Sequence, residues 1–166
     1  MELYLIRHGI AQARELGIPD AERSLTDKGR EKTRQVAQRL NQLKLQFDEI
    51  LTSPLRRSHQ TAEIFSDCRL SHKVVVTPHL APAGNIHDWL EELHQQPYTS
   101  ATRLALVGHQ PDLGEWAEIL IWGEARSQIV LKKAGIIGLT TPETGSFIGQ
   151  SQIFWLTPPK FLLSAD

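Results

Sequence analysis

Cysteine is almost absent from this chain, because Cys68 is the single example among its 166 residues. One thiol forms no internal disulfide and supplies no multi-thiolate zinc site. The spacing His-Glu-x-x-His, which holds zinc on a helix, does not occur either. We therefore expect a protein of the reducing cytoplasm that uses neither a metal ion nor another cofactor.

Long apolar runs and a large net charge are missing as well. No stretch approaches the roughly 18 apolar residues that span a membrane, and Glu2 and Arg7 interrupt the pattern of a secretory signal peptide. The formal net charge is −1, so no overall positive field attracts nucleic acid or anionic lipid. Length and composition predict one globular domain, residues 1–166, in which any anion binds at a local site.

Short apolar runs alternate with amphipathic segments along most of the chain. Leu3–Ile6 is continuously apolar, which is typical of a strand buried on both faces. Thr26 is a predicted N-cap for the first helix. Further strands are predicted at 47–54, 73–78 and 103–109, and helices at 27–43, 55–68, 85–96 and 111–122.

This alternation of strands and helices implies crossover connections. It predicts an α/β fold with a mainly parallel central sheet flanked by helices in three α/β/α layers. Two closing strands, 134–141 and 145–158, form a predicted hairpin around the sequence PETG.

Cationic and imidazole side chains follow three of the predicted strands. The first strand is followed by Arg7, His8 and Gly9, the second by Arg57 and the fourth by His109. Because the carboxyl ends of parallel strands meet at one edge, where ligands bind in such folds, we expect these residues to lie together. Two guanidiniums beside two imidazoles repel one another unless a dianion lies between them, and guanidinium matches phosphate oxygens bidentately. The sequence therefore predicts a phosphate site.

A histidine at such a site can act as the nucleophile. Neutral imidazole attacks phosphorus through one ring nitrogen and forms a covalent phosphohistidine, while the other nitrogen donates to a fixed acceptor such as a backbone carbonyl. Gly9 leaves room for a tight turn and for close approach of the phosphoryl group to His8. Arg7, Arg57 and a protonated His109 would meet the charge on the transferring phosphoryl group.

Four motifs, LIRHG, LTDKG, SPLRRSHQTA and LVGHQP, occur in that order. With them the chain resembles the histidine phosphatase superfamily, of phosphoglycerate mutase-like fold, and most closely its short SixA-type phosphohistidine phosphatases. The resemblance implies that His8 is the nucleophile and that Arg7 and Arg57 bind phosphate. It further implies that His109 is the second catalytic histidine.

Two arginines, Arg56 and Arg57, stand side by side in the third motif. Neighbours on a helix cannot both face one site. The Ser-Pro-x-x-Arg spacing of the resembled motif ends at Arg57, so Arg57 is expected in the site and Arg56 outside it.

The general acid is the point at which this sequence departs from the superfamily. Its phosphomutases and broad phosphomonoesterases carry an acidic residue after the third strand or in a large insertion. The corresponding stretch here reads LAPAGNIHDW, with Asn85 where an acid is sought and the candidates Asp88 and Glu91 beyond it. An alkoxide leaves poorly without a proton, whereas phosphohistidine loses imidazole, a better leaving group. The short chain also predicts an open site, suited to a phosphohistidine displayed on a protein.

These features favour a metal-independent phosphatase acting on a histidine-phosphorylated protein, such as the phosphotransfer domain of a signalling relay. Two alternatives stay open: a small-molecule phosphomonoesterase that uses Asp88 or Glu91 as its acid, and a non-catalytic phosphate-binding module. The expected partners are the phosphorylated protein and phosphate ion, with no nucleic acid and no membrane. The expected oligomeric state is a monomer or a weak dimer.

Overall fold

A mixed six-stranded sheet runs through the computed structural model, which describes residues 1–14 and 16–163. In chain order the strands are β1 (Glu2–Arg7), β2 (Glu49–Thr52), β3 (Val74–Val76), β4 (Arg103–Gly108), β5 (Ile136–Thr140) and β6 (Gln152–Thr157). Their order across the sheet is β3-β2-β4-β1-β5-β6. The first four of these are mutually parallel, and β5 and β6 are joined by antiparallel pairing. The predicted mainly parallel sheet is confirmed.

Four α-helices lie in the described part of the chain: α1 (Asp27–Gln42), α2 (Arg56–Asp67), α3 (Ile86–His94) and α4 (Asp112–Trp122). Helix α1 begins where the sequence predicts, because the Thr26 hydroxyl accepts a hydrogen bond from the Gly29 amide at 3.0 Å. Short 3₁₀-helices occur at Asp20–Glu22, Pro78–Leu80 and Pro159–Phe161. Within residues 1–14 and 16–163, no helix is both long enough and apolar enough to span a bilayer.

Each face of the sheet is covered by two helices. One apolar cluster joins the sheet to α1 and α2 through side chains such as Leu40 and Phe65. A second cluster joins the opposite face to α3 and α4 through side chains such as Trp89 and Trp116. Strand β1 lies between these layers, and Leu3–Ile6 is buried as its apolar run predicts. The three-layer α/β/α arrangement is confirmed, and it places the carboxyl ends of β1, β2 and β4 along one edge.

The two closing strands pair antiparallel as predicted, but the tight turn expected at PETG is wrong. Residues 141–151 form a longer connection without strand structure, and it turns at Gly145 and Gly149, whose φ angles are 89° and 71°. The connection packs on the end of α4, because the Gly149 and Ser151 amides donate to carbonyls of that helix at 3.0 Å. This packing draws residues 145–151 away from the sheet.

Candidate active site

The two central strands deliver both predicted histidines to one point. Arg7 pairs with Gly108 at the ends of β1 and β4, so His8 and His109 follow the two strands side by side. The His8 amide donates to the Gly108 carbonyl at 3.1 Å, and the two ring centroids lie 5.2 Å apart. Parallel pairing therefore brings together two histidines that are distant in sequence.

The His8 ring is held in one orientation and one tautomer. Its Nδ1 lies 2.7 Å from the Gly9 carbonyl oxygen, to which it donates, and this leaves a lone pair on Nε2. The Nε2 atom accepts a hydrogen bond from Arg57 Nε at 3.2 Å. Burial lowers the pKa of His8 to about 3, and the charges of neighbouring cations add to this effect. The imidazole is therefore neutral near pH 7, with a nucleophilic nitrogen directed toward the Arg57 guanidinium.

Of the two adjacent arginines, only Arg57 reaches the histidines. Its side chain is buried, with 3% of the residue exposed, while Arg56 is exposed on the same helix. Besides contacting His8, the Arg57 guanidinium lies with Nη2 3.5 Å from His109 Nδ1. The choice of Arg57 from the Ser-Pro-x-x-Arg spacing agrees with this placement, because neighbours on a helix point about a quarter turn apart.

His109 is held by hydroxyl groups as well as by Arg57. Its Nε2 lies 2.8 Å from Ser53 Oγ and 3.4 Å from Ser58 Oγ. Burial and then the Arg57 charge lower the pKa of His109 to about 4. His109 is therefore neutral near pH 7 in the free protein, whereas the expected protonated form concerns the state with a phosphoryl group bound. A phosphoryl dianion beside the ring would raise this pKa, because an opposite charge favours the imidazolium form.

Arg7 lies at the same edge and is held from the other side of β1. Its Nη1 donates to the Leu131 carbonyl at 2.9 Å. Its Nε is buried and has no hydrogen-bond partner among the described residues. A buried N–H without a partner is costly, and an anion beside it would remove that cost.

The peptide segment that holds Arg7 is itself anchored by two side chains that the sequence reasoning missed. Gln110 accepts from the Leu131 amide at 3.1 Å and donates to the Ile129 carbonyl at 3.0 Å. Glu118, fully buried on α4, accepts from the backbone amides of residues 126–129. Burial alone would raise the pKa of Glu118, but the four amides outweigh it and lower the pKa. A carboxylate within the apolar run of α4 was the available sequence signal.

Asp20 is the second group that was missed, and it contacts Arg57 directly. Arg57 donates through Nη1 to the Asp20 carbonyl at 2.7 Å and through Nη2 to the Asp20 carboxylate at 2.9 Å. Arg23 also pairs with this carboxylate at 2.9 Å. Burial raises the pKa of Asp20, but the two arginines outweigh it and hold the pKa at about 2. The carboxylate is therefore ionised and occupies one edge of the Arg57 guanidinium.

The site is more closed than the short chain suggested. The segment 16–24 lies against Arg57 through Asp20, and a bridge between Ala11 and Leu25 closes its base. Only 7% of His8 and 4% of His109 is exposed. Both histidines are therefore less exposed in the free protein than the expected open site implies, and Asp20 occupies one edge of the Arg57 guanidinium.

Gly9 lies at a closely packed turn, and its backbone groups are already hydrogen-bonded in the free protein. Its amide already donates to the Thr61 hydroxyl at 3.1 Å, so it is not free for a phosphate oxygen. A Cβ at Gly9 would lie 2.3 Å from Thr33 Oγ1, which is a severe clash. Glycine is needed here because α1 packs directly on the turn, and the Gly9 carbonyl orients the His8 ring.

The two candidate acids, Asp88 and Glu91, make no direct contact with the site residues described above. Asp88 and Glu91 are exposed on α3, and no hydrogen bond or ion pair within the described residues joins either to His8, Arg57 or His109. The carboxylate that does contact the site is Asp20. Within residues 1–14 and 16–163, no three or more His, Cys, Asp and Glu side chains are grouped so that they could hold a metal ion.

Sequence relatives cover almost the whole chain. The family described as the histidine phosphatase superfamily (branch 1) matches residues 3–97. An uncharacterised protein from Picosynechococcus sp. is 47% identical over 98% of this chain and 99% of its own length. The phosphohistidine phosphatase SixA of Escherichia coli is 26% identical over 89% of this chain and 91% of its own length.

Solved structures share the fold described above. The protein histidine phosphatase SixA complexed with tungstate matches with a TM-score of 0.81 and 26% identity, covering 98% of this chain and 99% of that chain. The alpha-ribazole phosphatase from Shigella flexneri matches with a TM-score of 0.70 and 18% identity over the full length of both chains. The sheet and its four helices are thus the phosphoglycerate mutase-like α/β fold of SixA.

Proposed function

The chain belongs to the histidine phosphatase superfamily, and on that premise we propose that it removes phosphate from phosphohistidine in a protein, with His8 as the nucleophile. The observation that carries this proposal is the His8 ring, whose Nδ1 is fixed by the Gly9 carbonyl and whose Nε2 lone pair faces Arg57. The similarity to SixA, a phosphohistidine phosphatase, supports the substrate class. A phosphotransfer domain of a cytoplasmic signalling relay is the substrate we have in mind.

In the first half-reaction, the lone pair of His8 Nε2 forms a bond to phosphorus and the phosphorus–nitrogen bond of the substrate breaks. The electron pair of that bond stays on the substrate imidazole, which leaves neutral because its other ring nitrogen carries a proton. Arg57 Nε lies 3.2 Å from the attacking nitrogen, so its guanidinium is placed to bind the phosphoryl oxygens. The unpartnered Nε of Arg7 is a second donor for them.

In the second half-reaction, water attacks phosphorus and the bond to His8 Nε2 breaks. The electron pair returns to Nε2, and both protons of the water leave with inorganic phosphate. The Gly9 carbonyl keeps the proton on Nδ1 throughout, so the ring returns to its starting tautomer. Neither half-reaction requires a carboxylic acid.

Proton supply is what separates phosphohistidine from a phosphate ester. An alkoxide needs a proton when it leaves, but the pKa of about 2 keeps Asp20 ionised and unable to donate. Asp88 and Glu91 are exposed and share no hydrogen bond with the described site residues. The arrangement therefore suits a leaving group that departs without protonation.

A small-molecule phosphomonoesterase is the second candidate, and the closure of the site favours it. Only 7% of His8 is exposed and Asp20 contacts Arg57 beside it, so a histidine held on a folded protein would need the segment around Asp20 to move. A small phosphate ester would need a smaller movement. The fold shared with an alpha-ribazole phosphatase is compatible with this candidate.

Rapid-quench labelling with a radiolabelled phosphohistidine peptide tests the nucleophile. We expect an acid-labile, base-stable phosphoenzyme that His8→Ala abolishes. The matched control is His59→Ala, because His59 is a partly exposed histidine on α2 that pairs with Glu63 instead of facing the site. Label on any residue other than His8 would refute the assignment.

Substrate class is tested separately, by kcat/KM for a phosphohistidine peptide and for an alkyl phosphate with chelator present. The proposal expects turnover of the peptide and very slow hydrolysis of the alkyl ester. Efficient alkyl phosphate hydrolysis without peptide turnover would replace it with the small-molecule phosphomonoesterase.

A further inference from the structure

A groove of about 340 Å³ opens beside Arg7, at the same edge of the sheet as the histidines. Its walls are the end of β1, the first two turns of α1, the segment before β5 and Pro159 beyond β6. Because β6 runs parallel to β1 and α1 starts at the carboxyl edge of β1, all four walls lie at the edge of the sheet that carries the candidate active site. The groove is thus a recess beside Arg7, the residue that precedes His8, and its lining does not include Asp20.

The groove carries a concentration of positive charge. Lys32, Lys132 and Lys133 line it together with Arg7. None of these three lysines takes part in an ion pair within residues 1–14 and 16–163. Other surface cations, such as Lys73 and Arg103, do pair with carboxylates. The chain as a whole has a formal net charge of −1, so this positive region is local. Unpaired cations around a recess attract anionic groups.

The same groove also has an apolar part. Ile10, Ala134 and Pro159 contribute to its lining between the lysines. A free phosphate ion gains nothing from such a surface, whereas a peptide segment places aliphatic side-chain stems on it and carboxylates beside the ammonium groups. The lining therefore favours a peptide over a small inorganic anion.

Backbone contacts connect the groove to the nucleophile. The Ala134 amide contacts the carbonyls of Arg7 and His8 at 3.0 and 3.2 Å. Leu131, the residue before Lys132, accepts the hydrogen bond from the Arg7 side chain. A segment bound in the groove thus lies directly beside a residue attached to His8.

We propose that this groove binds an acidic segment of the protein that carries the phosphohistidine, and so selects phosphoproteins with carboxylates next to the modified histidine. The proposal rests on the proposed function, because it assigns a docking surface to that reaction. It accounts for a cationic, partly apolar recess that continues beyond the phosphate-binding residues.

Two synthetic phosphohistidine peptides test the inference. One has Glu and Asp around the phosphohistidine, and the other has Gln and Asn at the same positions. We expect the wild-type protein to favour the acidic peptide in kcat/KM by roughly tenfold at low ionic strength, the size that three exposed ion pairs together give. The preference should shrink as the ionic strength is raised to the physiological range, where the Debye length falls to about 8 Å and exposed charges are screened.

A charge-neutralised variant, Lys32→Gln with Lys132→Gln and Lys133→Gln, should lose this preference. The fall in kcat/KM relative to wild type should be about tenfold larger for the acidic peptide than for para-nitrophenyl phosphate. The matched control removes three positive charges at the far ends of α1 and α2, through Arg39→Gln, Lys44→Gln and Arg69→Gln. The control should keep the wild-type preference, and circular dichroism verifies that both variants are folded.

The outcomes separate this inference from the proposed function. Equal kcat/KM for the two peptides, or an equal loss in the control variant, would overturn the acidic docking groove while leaving phosphohistidine hydrolysis in place. No turnover of either peptide would refute the proposed function itself.

Discussion

Arg57 is the main charge-stabilising side chain of the proposed chemistry, and its neighbour Arg56 is a natural control. Both are arginines in the first turn of α2, but Arg57 is 3% exposed and Arg56 is open to solvent. Only Arg57 contacts His8, at 3.2 Å, and His109, at 3.5 Å. We expect Arg57→Ala to lower kcat/KM strongly and Arg56→Ala to leave it within about twofold, a change of about 0.4 kcal/mol.

The expected loss of kcat/KM in Arg57→Ala follows from the burial of this side chain and from its direction toward His8 and His109. A preorganised donor aimed at developing charge is worth about 3 kcal/mol or more, which corresponds to a loss of about 10²-fold or more. The low exposure of Arg57 limits solvent screening, so the upper part of that scale applies. Arg57→Lys keeps the charge but loses the planar fork, and its activity should fall between wild type and Arg57→Ala.

Stability must be measured beside activity, because Arg57 also pairs with Asp20. After Arg57→Ala, the Asp20 carboxylate keeps Arg23 at 2.9 Å, so the structural loss should be modest. We expect a loss of about 1 kcal/mol and a fall in Tm of about 2–4 °C. The assay is kcat/KM on a phosphohistidine peptide, with Tm by differential scanning calorimetry. A folded Arg57→Ala protein within threefold of wild type, or a larger loss in Arg56→Ala, would refute the reasoning.

Three further predictions concern the surroundings of the site. Asp20→Asn should strengthen inhibition by inorganic phosphate by roughly two- to fivefold, because the carboxylate no longer competes for the buried Arg57 guanidinium. Weaker inhibition than in wild type would show instead that the Asp20–Arg57 pair positions the site. Burial lowers the pKa values of His8 and His109 to about 3 and about 4. Below pH 6.5 the unfolded chain therefore binds more protons than the folded one. As the pH falls from 6.5 toward 4, each histidine should lower the free energy of unfolding by up to about 1.4 kcal/mol per pH unit, with no contribution above pH 6.5. Urea unfolding across that range checks this, and a His8→Gln/His109→Gln protein that is no flatter would contradict it. Asp88→Asn and Glu91→Gln should each keep phosphohistidine turnover within about tenfold of wild type, whereas loss of a general acid costs about 10²–10⁴-fold in kcat/KM.

The elements that the sequence predicts correctly are those specified by neighbouring residues. The apolar run Leu3–Ile6 predicts a buried strand because every side chain in it avoids water. Thr26 predicts the start of α1 because capping is a contact across three residues. From such elements, the rule that parallel strands end at one edge was sufficient to bring His8 and His109 together.

Contacts between segments distant in the chain could not be predicted from neighbouring residues. Arg57 and Asp20 are 37 positions apart, and Arg7 and Leu131 are 124 positions apart. No local pattern marks either partner, because an aspartate in a polar segment and a backbone carbonyl are ordinary anywhere. The contact of Asp20 with the site was missed for the same reason.

Residue type alone determined that the site holds two imidazoles and two guanidiniums, and strand order determined that they meet. Their protonation was decided only by the tertiary structure, because the pKa of His109 falls to about 4 through burial rather than through any property of its sequence motif. The same holds for Gly9, whose presence the motif shows but whose necessity comes from Thr33 of α1, 2.3 Å from where a Cβ would stand. Desolvation and close packing depend on which segments meet in space, and this is settled only when the helices close over the sheet.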